Sequence, residues 1–87
     1  MAQVTIYTTM FCPYCHRAKA LLAKKGVVYS EIDVGMDSDK RRDMARRAHG
    51  RQTVPQIFIG ERHIGGSDEL AALELAGKLD ELLRAAA

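Results

Sequence analysis

The sequence is poor in cysteine, with only two among 87 residues, and it has no tryptophan. Both cysteines lie in one short motif, at Cys12 and Cys15, which excludes the disulfide scaffold of a small secreted domain. No apolar stretch approaches the roughly 20 residues that a membrane-spanning helix needs. Residues 1–5 also lack the basic and then apolar pattern of a secretory signal. We therefore expect a cytoplasmic protein without a membrane partner.

The sequence also lacks a strong excess of charge of either sign. Thirteen Lys and Arg residues against 11 Asp and Glu residues give a net charge of +2, which is too small to predict nucleic-acid binding. Basic residues are concentrated between Lys40 and Arg51, and by default such a run is a solvated helix face. The length is enough for one small hydrophobic core. We therefore predict a single domain over residues 1–87.

The chain alternates between β-branched stretches and stretches with helical periodicity. We predict strands near residues 3–8, 27–33, 56–60 and 63–65, the last two joined in a hairpin about Gly60-Glu61-Arg62. We predict helices from Pro13 to about Lys25, over residues 38–48, and in a C-terminal region from about 70 to 83 that is interrupted near Gly77. A strand-helix-strand unit followed by a hairpin predicts an α/β fold with a four-stranded mixed sheet in the order βαβαββα.

The most informative motif is Cys12-Pro13-Tyr14-Cys15, at the point where the first strand gives way to the first helix. Pro13 suits the first helical position, which leaves Cys12 as the N-cap. Unpaired backbone N–H groups and the helix dipole there stabilise a thiolate. Two intervening residues place the second thiol within reach of the first. We predict that Cys12 attacks disulfides and that Cys15 resolves the mixed disulfide.

The chain resembles the dithiol glutaredoxin family over essentially its whole length. The resemblance rests on three motifs in order, which are Cys12-Pro13-Tyr14-Cys15, Thr53-Val54-Pro55 and Gly65-Gly66-Ser67-Asp68. It implies a thioredoxin-like fold and glutathione-dependent reduction of protein disulfides and protein-glutathione mixed disulfides. Glutathione would be the reductant, no metal is expected, and the partners would be disulfide-containing or glutathionylated proteins that meet a monomer.

The resemblance also implies a glutathione site. A cis Val54-Pro55 bond would let the Val54 backbone pair with the glutathione cysteinyl unit like an added strand. The backbones of Ser67, a good N-cap by its residue type, and Asp68 would hold the γ-glutamyl carboxylate, and the Asp68 side chain its ammonium. The remaining predicted members of the site are Tyr14, Thr53 and Gly66. Tyr14 either flanks the bound tripeptide or packs on the first helix.

The sequence departs from the family pattern before the first cysteine. Many relatives have a Lys there for the glycine carboxylate of glutathione, whereas this chain has Thr8, Thr9, Met10 and Phe11. By family spacing, Arg42 is the predicted cation for that carboxylate, with Arg51 or Gln52 as the next candidates.

Three other interpretations involve iron or zinc. Cys12-Pro13-Tyr14-Cys15-His16 formally matches the pattern for covalent haem attachment. Zinc could be held by the two cysteines with His16, His49 or His63, although these histidines lack the paired spacing of a zinc finger. An iron-sulfur cluster shared by two chains and glutathione is a third alternative, which the bulky residues after Cys12 disfavour.

Overall fold

A computed structural model of the chain describes residues 3–85. The elements are β1 (Val4–Thr8), α1 (Pro13–Lys24), β2 (Tyr29–Asp33), α2 (Ser38–Arg47), β3 (Gln56–Ile59), β4 (Arg62–Gly65), α3 (Ser67–Leu75) and α4 (Leu79–Ala85). The predicted order is confirmed, with the C-terminal helical region divided in two. The division falls at Gly77, whose φ of +72° ends α3. None of the helices described within residues 3–85 is long and apolar enough to cross a membrane.

The four strands form one mixed sheet in the order β2-β1-β3-β4. Strands β1 and β2 are parallel, and the β1–β3 and β3–β4 pairs are antiparallel. This arrangement is the predicted one, because a helical crossover joins parallel strands and a tight turn joins antiparallel strands.

Each face of the sheet is covered by helices. One buried cluster joins the sheet to α1, α3 and α4, and its members are Val4, Ile6, Ala18, Leu22, Ile57, Ile59, Leu70 and Leu79. A second cluster joins the opposite face to α2, and its members are Tyr7, Val34, Met44, Ala48 and Phe58. Neighbouring residues such as Ile6 and Tyr7 belong to different clusters because successive side chains of a strand point to opposite faces.

The start of β2 differs from the prediction, which placed it at residue 27. Gly26 has a φ of +72°, and the next amide, that of Val27, donates to the carbonyl of Leu22 at 3.0 Å. This hydrogen bond belongs to the C-terminal cap of α1, so Val27 is not available for strand pairing. Val28 is 85% exposed, and the ladder with β1 begins at Tyr29.

The hairpin between β3 and β4 is tighter than predicted. Ile59 pairs directly with Arg62, so the connecting loop consists of Gly60 and Glu61 alone. A φ of +60° at Gly60 is the left-handed conformation that two-residue hairpin loops require.

Candidate active site

Three loops meet where the strands end, because of the strand directions. Tyr7, near the end of β1, pairs with Gln56 at the start of antiparallel β3. Ile57 in turn pairs with Gly65 at the end of β4. The segments that follow β1, precede β3 and follow β4 are therefore neighbours. These segments carry the three motifs that the sequence analysis identified.

Cys12 caps the N-terminus of α1, as predicted. Its backbone is extended, with φ −122° and ψ 105°, and Pro13 occupies the first helical position. The Cys15 amide donates to Cys12 Sγ at 3.2 Å, and the Cys12 thiol donates to the Val54 carbonyl at 3.8 Å. A thiolate at this position would accept the same amide hydrogen bond at the positive end of the helix.

The two cysteines differ in accessibility. Both are free thiols, but Cys12 is 8% exposed whereas Cys15 is 0% exposed. Burial, together with the hydrogen bond to Cys12, raises the pKa of the Cys15 thiol to about 12. Cys15 therefore keeps its proton at neutral pH, which makes it a poor attacking group until the site changes.

An open groove runs beside the thiols between the second and third loops. Its lining residues are Tyr14, Arg51, Thr53, Val54, Pro55, Gly66, Ser67, Asp68 and Glu69. Seven of the eight predicted binding residues are among them, and Arg42 is the exception. The Val54-Pro55 peptide bond is cis, as the resemblance implied.

The start of α3 forms one wall of the groove. The N-cap is Gly66, with an extended backbone, so Ser67 is the first helical residue and not the predicted cap. The reason is that the Glu69 side chain supplies the capping hydrogen bond, in which Oε1 accepts from the Gly66 amide at 2.7 Å. The amides of Ser67 and Asp68 are then first-turn donors without an intrahelical partner. The residue before the N-cap, Gly65, has a φ of +116°, and a side chain there would collide with the Glu69 carboxylate, so this position favours glycine.

Arg51 and Glu69 form an ion pair at the charged end of the groove. Arg51 Nη1 donates to Glu69 Oε1 at 2.9 Å, and both side chains are nearly half exposed. Hydrogen bonds from the Gly66 amide and then from Arg51 lower the pKa of the Glu69 carboxyl. The role of Glu69 in this groove was not predicted, because its position in sequence indicated only a helix first turn.

Arg42 does not lie in the groove. It lines a separate depression on the surface of α2 and is 74% exposed, 3.8 Å from Asp39. Family spacing placed the cation within α2, but the loop after that helix brings Arg51 to the groove instead. The structure therefore places Arg51, one of the next candidates, beside the groove and Arg42 outside it.

Exposed apolar side chains lie within and just before the motif that carries the thiols. Phe11 is 91% exposed and Met10 is 68% exposed. Tyr14 is also exposed, and its ring both lines the groove and lies 5.5 Å from the Arg17 guanidinium carbon. The two alternatives for Tyr14 are therefore compatible with each other.

The residues of the zinc alternative do not form one group of three or more ligands. Within residues 3–85, no group of three or more His, Cys, Asp or Glu side chains is arranged to hold a metal ion. Two histidines from the zinc alternative, His49 and His63, do contact each other, with Nδ1 atoms 3.2 Å apart.

Sequence comparisons place the chain among known proteins. The glutaredoxin family model matches residues 4–64. Glutaredoxin 3 of Escherichia coli K12 is 56% identical over 84 residues, which are 97% of this chain and 100% of the relative.

Solved structures agree with these matches. Glutaredoxin from Brucella melitensis is 57% identical and superposes with a TM-score of 0.84, covering 95% of this chain and 89% of that one. A buckwheat glutaredoxin-glutathione complex is 32% identical, with a TM-score of 0.86 over 98% of this chain and 79% of that one. The thioredoxin-like fold is thus confirmed. The chain belongs to the glutaredoxin family, whose members are glutathione-dependent thiol-disulfide oxidoreductases.

Proposed function

We propose that Cys12 is the nucleophile with which this glutaredoxin reduces protein disulfides and protein-glutathione mixed disulfides. The observation that carries the proposal is the contrast between the two thiols. Cys12 Sγ accepts an amide hydrogen bond at the N-terminus of α1 and is the more accessible sulfur, whereas Cys15 is fully buried. A thiolate that is both stabilised and accessible is the attacking species in thiol-disulfide exchange.

The reaction on a glutathionylated protein proceeds in two exchanges. The Cys12 thiolate attacks the glutathione sulfur, the protein–glutathione S–S bond breaks, and the protein thiolate leaves and takes a proton from solvent. A glutathione thiolate then attacks the Cys12–glutathione disulfide. Glutathione disulfide leaves and the Cys12 thiolate is restored. One glutathione thiol is oxidised, the protein cysteine is reduced to a thiol, and the other half of the glutathione disulfide comes from the substrate.

Reduction of a protein disulfide uses the second cysteine. After Cys12 forms a mixed disulfide with the substrate, the Cys15 thiol loses its proton and attacks Cys12 Sγ, which closes the Cys12–Cys15 disulfide and releases the reduced protein. Two glutathione molecules then reduce this disulfide. The high proton affinity of Cys15 makes this route dependent on a proton acceptor, such as the departing substrate thiolate.

The groove beside the thiols is the proposed glutathione site. The Val54 backbone would pair with the cysteinyl unit, and Thr53, Pro55 and Gly66 would line it. The first-turn amides of Ser67 and Asp68 would receive the γ-glutamyl carboxylate, while the Asp68 carboxylate would receive the ammonium. The buckwheat relative was solved as a glutathione complex, which supports a tripeptide site in this chain.

Arg51 is the proposed cation for the glycine carboxylate. It lines the groove, whereas Arg42 does not. Glu69 already accepts a hydrogen bond from Arg51 at 2.9 Å, so an incoming carboxylate would share or replace this partner. The ion pair is solvated enough for such an exchange, because about 45% of each side chain is exposed.

The surface that meets protein substrates, the oligomeric state and the location of the protein are also proposed. Protein substrates would pack against the exposed apolar side chains of Met10, Phe11 and Tyr14 beside the thiols. We place the protein in the cytoplasm as a monomer whose residues 1–87 form one domain.

A coupled assay tests the proposed function. Wild-type protein is incubated with a glutathionylated peptide, glutathione, glutathione reductase and NADPH, and NADPH oxidation is followed. We expect turnover that requires glutathione. Turnover of the same rate without glutathione, or none with it, would contradict the proposal.

A further inference from the structure

Two histidines outside the groove face each other across the sheet edge. His49 follows the C-cap of α2 with a φ of +58°, and His63 lies on β4. Their Nδ1 atoms are 3.2 Å apart, and their ring centroids are 5.3 Å apart. His49 is exposed and His63 is half-buried, so the pair lies at the protein surface.

Hydrogen bonds assign the proton on the His63 ring. The Gln56 amide nitrogen donates to the Thr53 carbonyl at 2.9 Å and to Thr53 Oγ1 at 3.1 Å. Gln56 is fully buried, so its amide is fixed with Oε1 toward His63 Nε2, 2.7 Å away. An amide oxygen only accepts, hence His63 Nε2 carries the hydrogen. The Nδ1 atom of neutral His63 therefore presents a lone pair to His49.

We propose that His49 and His63 form a bidentate site for a divalent transition-metal ion, with the two Nδ1 atoms as ligands. Zinc binds imidazole nitrogen at about 2.0–2.1 Å, so two nitrogens 3.2 Å apart subtend an angle of about 100° at the metal, which is close to tetrahedral. A bound ion would replace the present Nδ1–Nδ1 hydrogen bond. The His49 proton would move to Nε2, so a neutral pair releases no net proton.

The surroundings of His63 already match those of a metal-binding histidine. Ligating histidines usually donate their other N–H to a carbonyl or carboxylate, which fixes the ring, and Gln56 Oε1 serves this purpose here. His63 also stacks on Phe58, with centroids 5.0 Å apart.

The chemistry of the pair selects the class of ion and limits the affinity. Imidazole ligands favour zinc, copper and nickel over magnesium and calcium, which prefer oxygen. Within residues 3–85 no third His, Cys, Asp or Glu joins the pair, so water must complete the coordination. Arg51 is close enough to oppose a cation, although its partner Glu69 offsets part of that charge. We therefore expect weaker binding than in a structural zinc site.

The test uses Zn²⁺, which is redox-inert, on protein that lacks competing thiols. The background variant is Cys12→Ser/Cys15→Ser, because thiolates would bind zinc themselves. Binding is measured by isothermal titration calorimetry, and the ligating atoms are identified by long-range ¹H–¹⁵N spectra of the imidazole rings. The key variant is His49→Asn, because asparagine tolerates the left-handed backbone at this position. The matched control is His16→Asn, which removes the exposed histidine of α1.

We expect one Zn²⁺ per chain and Nδ1 shifts at both His49 and His63. His49→Asn should weaken binding by at least about tenfold, whereas His16→Asn should leave it unchanged. Circular dichroism of His49→Asn should match that of the background protein, which separates ligand loss from unfolding. The proposal is overturned by the absence of zinc binding, by equal affinity in His49→Asn, or by shifts confined to Nε2 atoms.

Discussion

The two ends of the active-site groove are built in different ways. At the thiol end, Cys12 and Cys15 are nine-tenths or more buried, and Cys12 is held by backbone partners from Cys15 and Val54. At the charged end, Arg51 and Glu69 are long side chains with about 45% of their surface exposed. The thiol end is therefore fixed by the fold, whereas the charged end can rearrange when a ligand arrives.

This difference predicts how each end responds to change. At the thiol end, removal of the Cys12 sulfur removes the reacting atom itself, so the whole function of that group is lost. An exposed, screened ion pair contributes only up to about 1 kcal/mol, so its loss changes binding by a small factor. Substitutions at the thiol end should thus lower the rate of the chemical reaction, whereas substitutions at the charged end should change KM or stability.

The largest effect is expected at Cys12. Cys12→Ser should abolish both reactions because it removes the attacking sulfur, whereas Cys15→Ser should retain reduction of glutathione mixed disulfides and lose most reduction of protein disulfides. The measurement is the coupled assay with a glutathionylated peptide and with a disulfide-bonded protein. Equal loss of mixed-disulfide reduction in the two variants would contradict the division of roles.

A several-fold effect is expected at Arg51. Arg51→Ala should raise the KM for a glutathionylated peptide about two- to fivefold with little change in kcat, because a partly exposed charge contributes at most about 1 kcal/mol. The matched control is Arg42→Ala, which removes a cation that does not line the groove. Raised salt should increase the KM of the wild-type protein toward that of Arg51→Ala. A larger change of KM in Arg42→Ala would restore Arg42 as the ligand.

A smaller effect, in the opposite direction, is expected at Thr9. Thr9→Lys introduces a cation in the loop before Cys12 and should lower KM about two- to threefold by attraction to the glycine carboxylate. Thr9→Gln is the control for side-chain length without charge. The same KM in both variants at low salt would show that this loop does not face the carboxylate.

The smallest effect is expected at Glu69, on stability. Because the pKa of the Glu69 carboxyl is lowered in the fold, ionised Glu69 stabilises the protein above its unfolded value of about 4.3, and this contribution is lost as pH falls through the folded value. Glu69→Gln should therefore lower the free energy of unfolding by about 0.5 kcal/mol at pH 7, which corresponds to a few degrees of Tm. The loss at pH 3 should be smaller. Thermal scans at both pH values measure this; an equal loss of Tm at the two would exclude the charge as its cause.

The thiol end was predictable from sequence because short-range rules determine it. Proline after Cys12 sets the helix start, and two intervening residues set the position of Cys15. The number and order of the strands were also predicted, with differences at the start of β2 and in the β3–β4 hairpin. The start of β2 was missed because the Val27 amide is used by the cap of α1, a choice that depends on how the helix ends in three dimensions.

The charged end was less predictable, because it depends on where a loop carries long side chains. Arg42 and Arg51 are equivalent as residue types, and only the path of the chain after α2 separates them. The capping of α3 by Glu69 is local, since Glu69 lies three residues after Gly66, but Glu69 also makes a long-range contact. Glu69 meets Arg51 from a distant part of the chain, and no local pattern predicts that contact.

The strand order has a consequence for contacts with other polypeptides. The sheet ends at β2, whose exposed residues include Ser30, Glu31 and Asp33, and at four-residue β4, where a register shift interrupts pairing. Short, charged or irregular edge strands resist the addition of a foreign strand. The described sheet is therefore a poor template for aggregation. The oxidised polypeptides proposed as substrates would therefore meet this protein without finding a flat apolar edge strand to pair with.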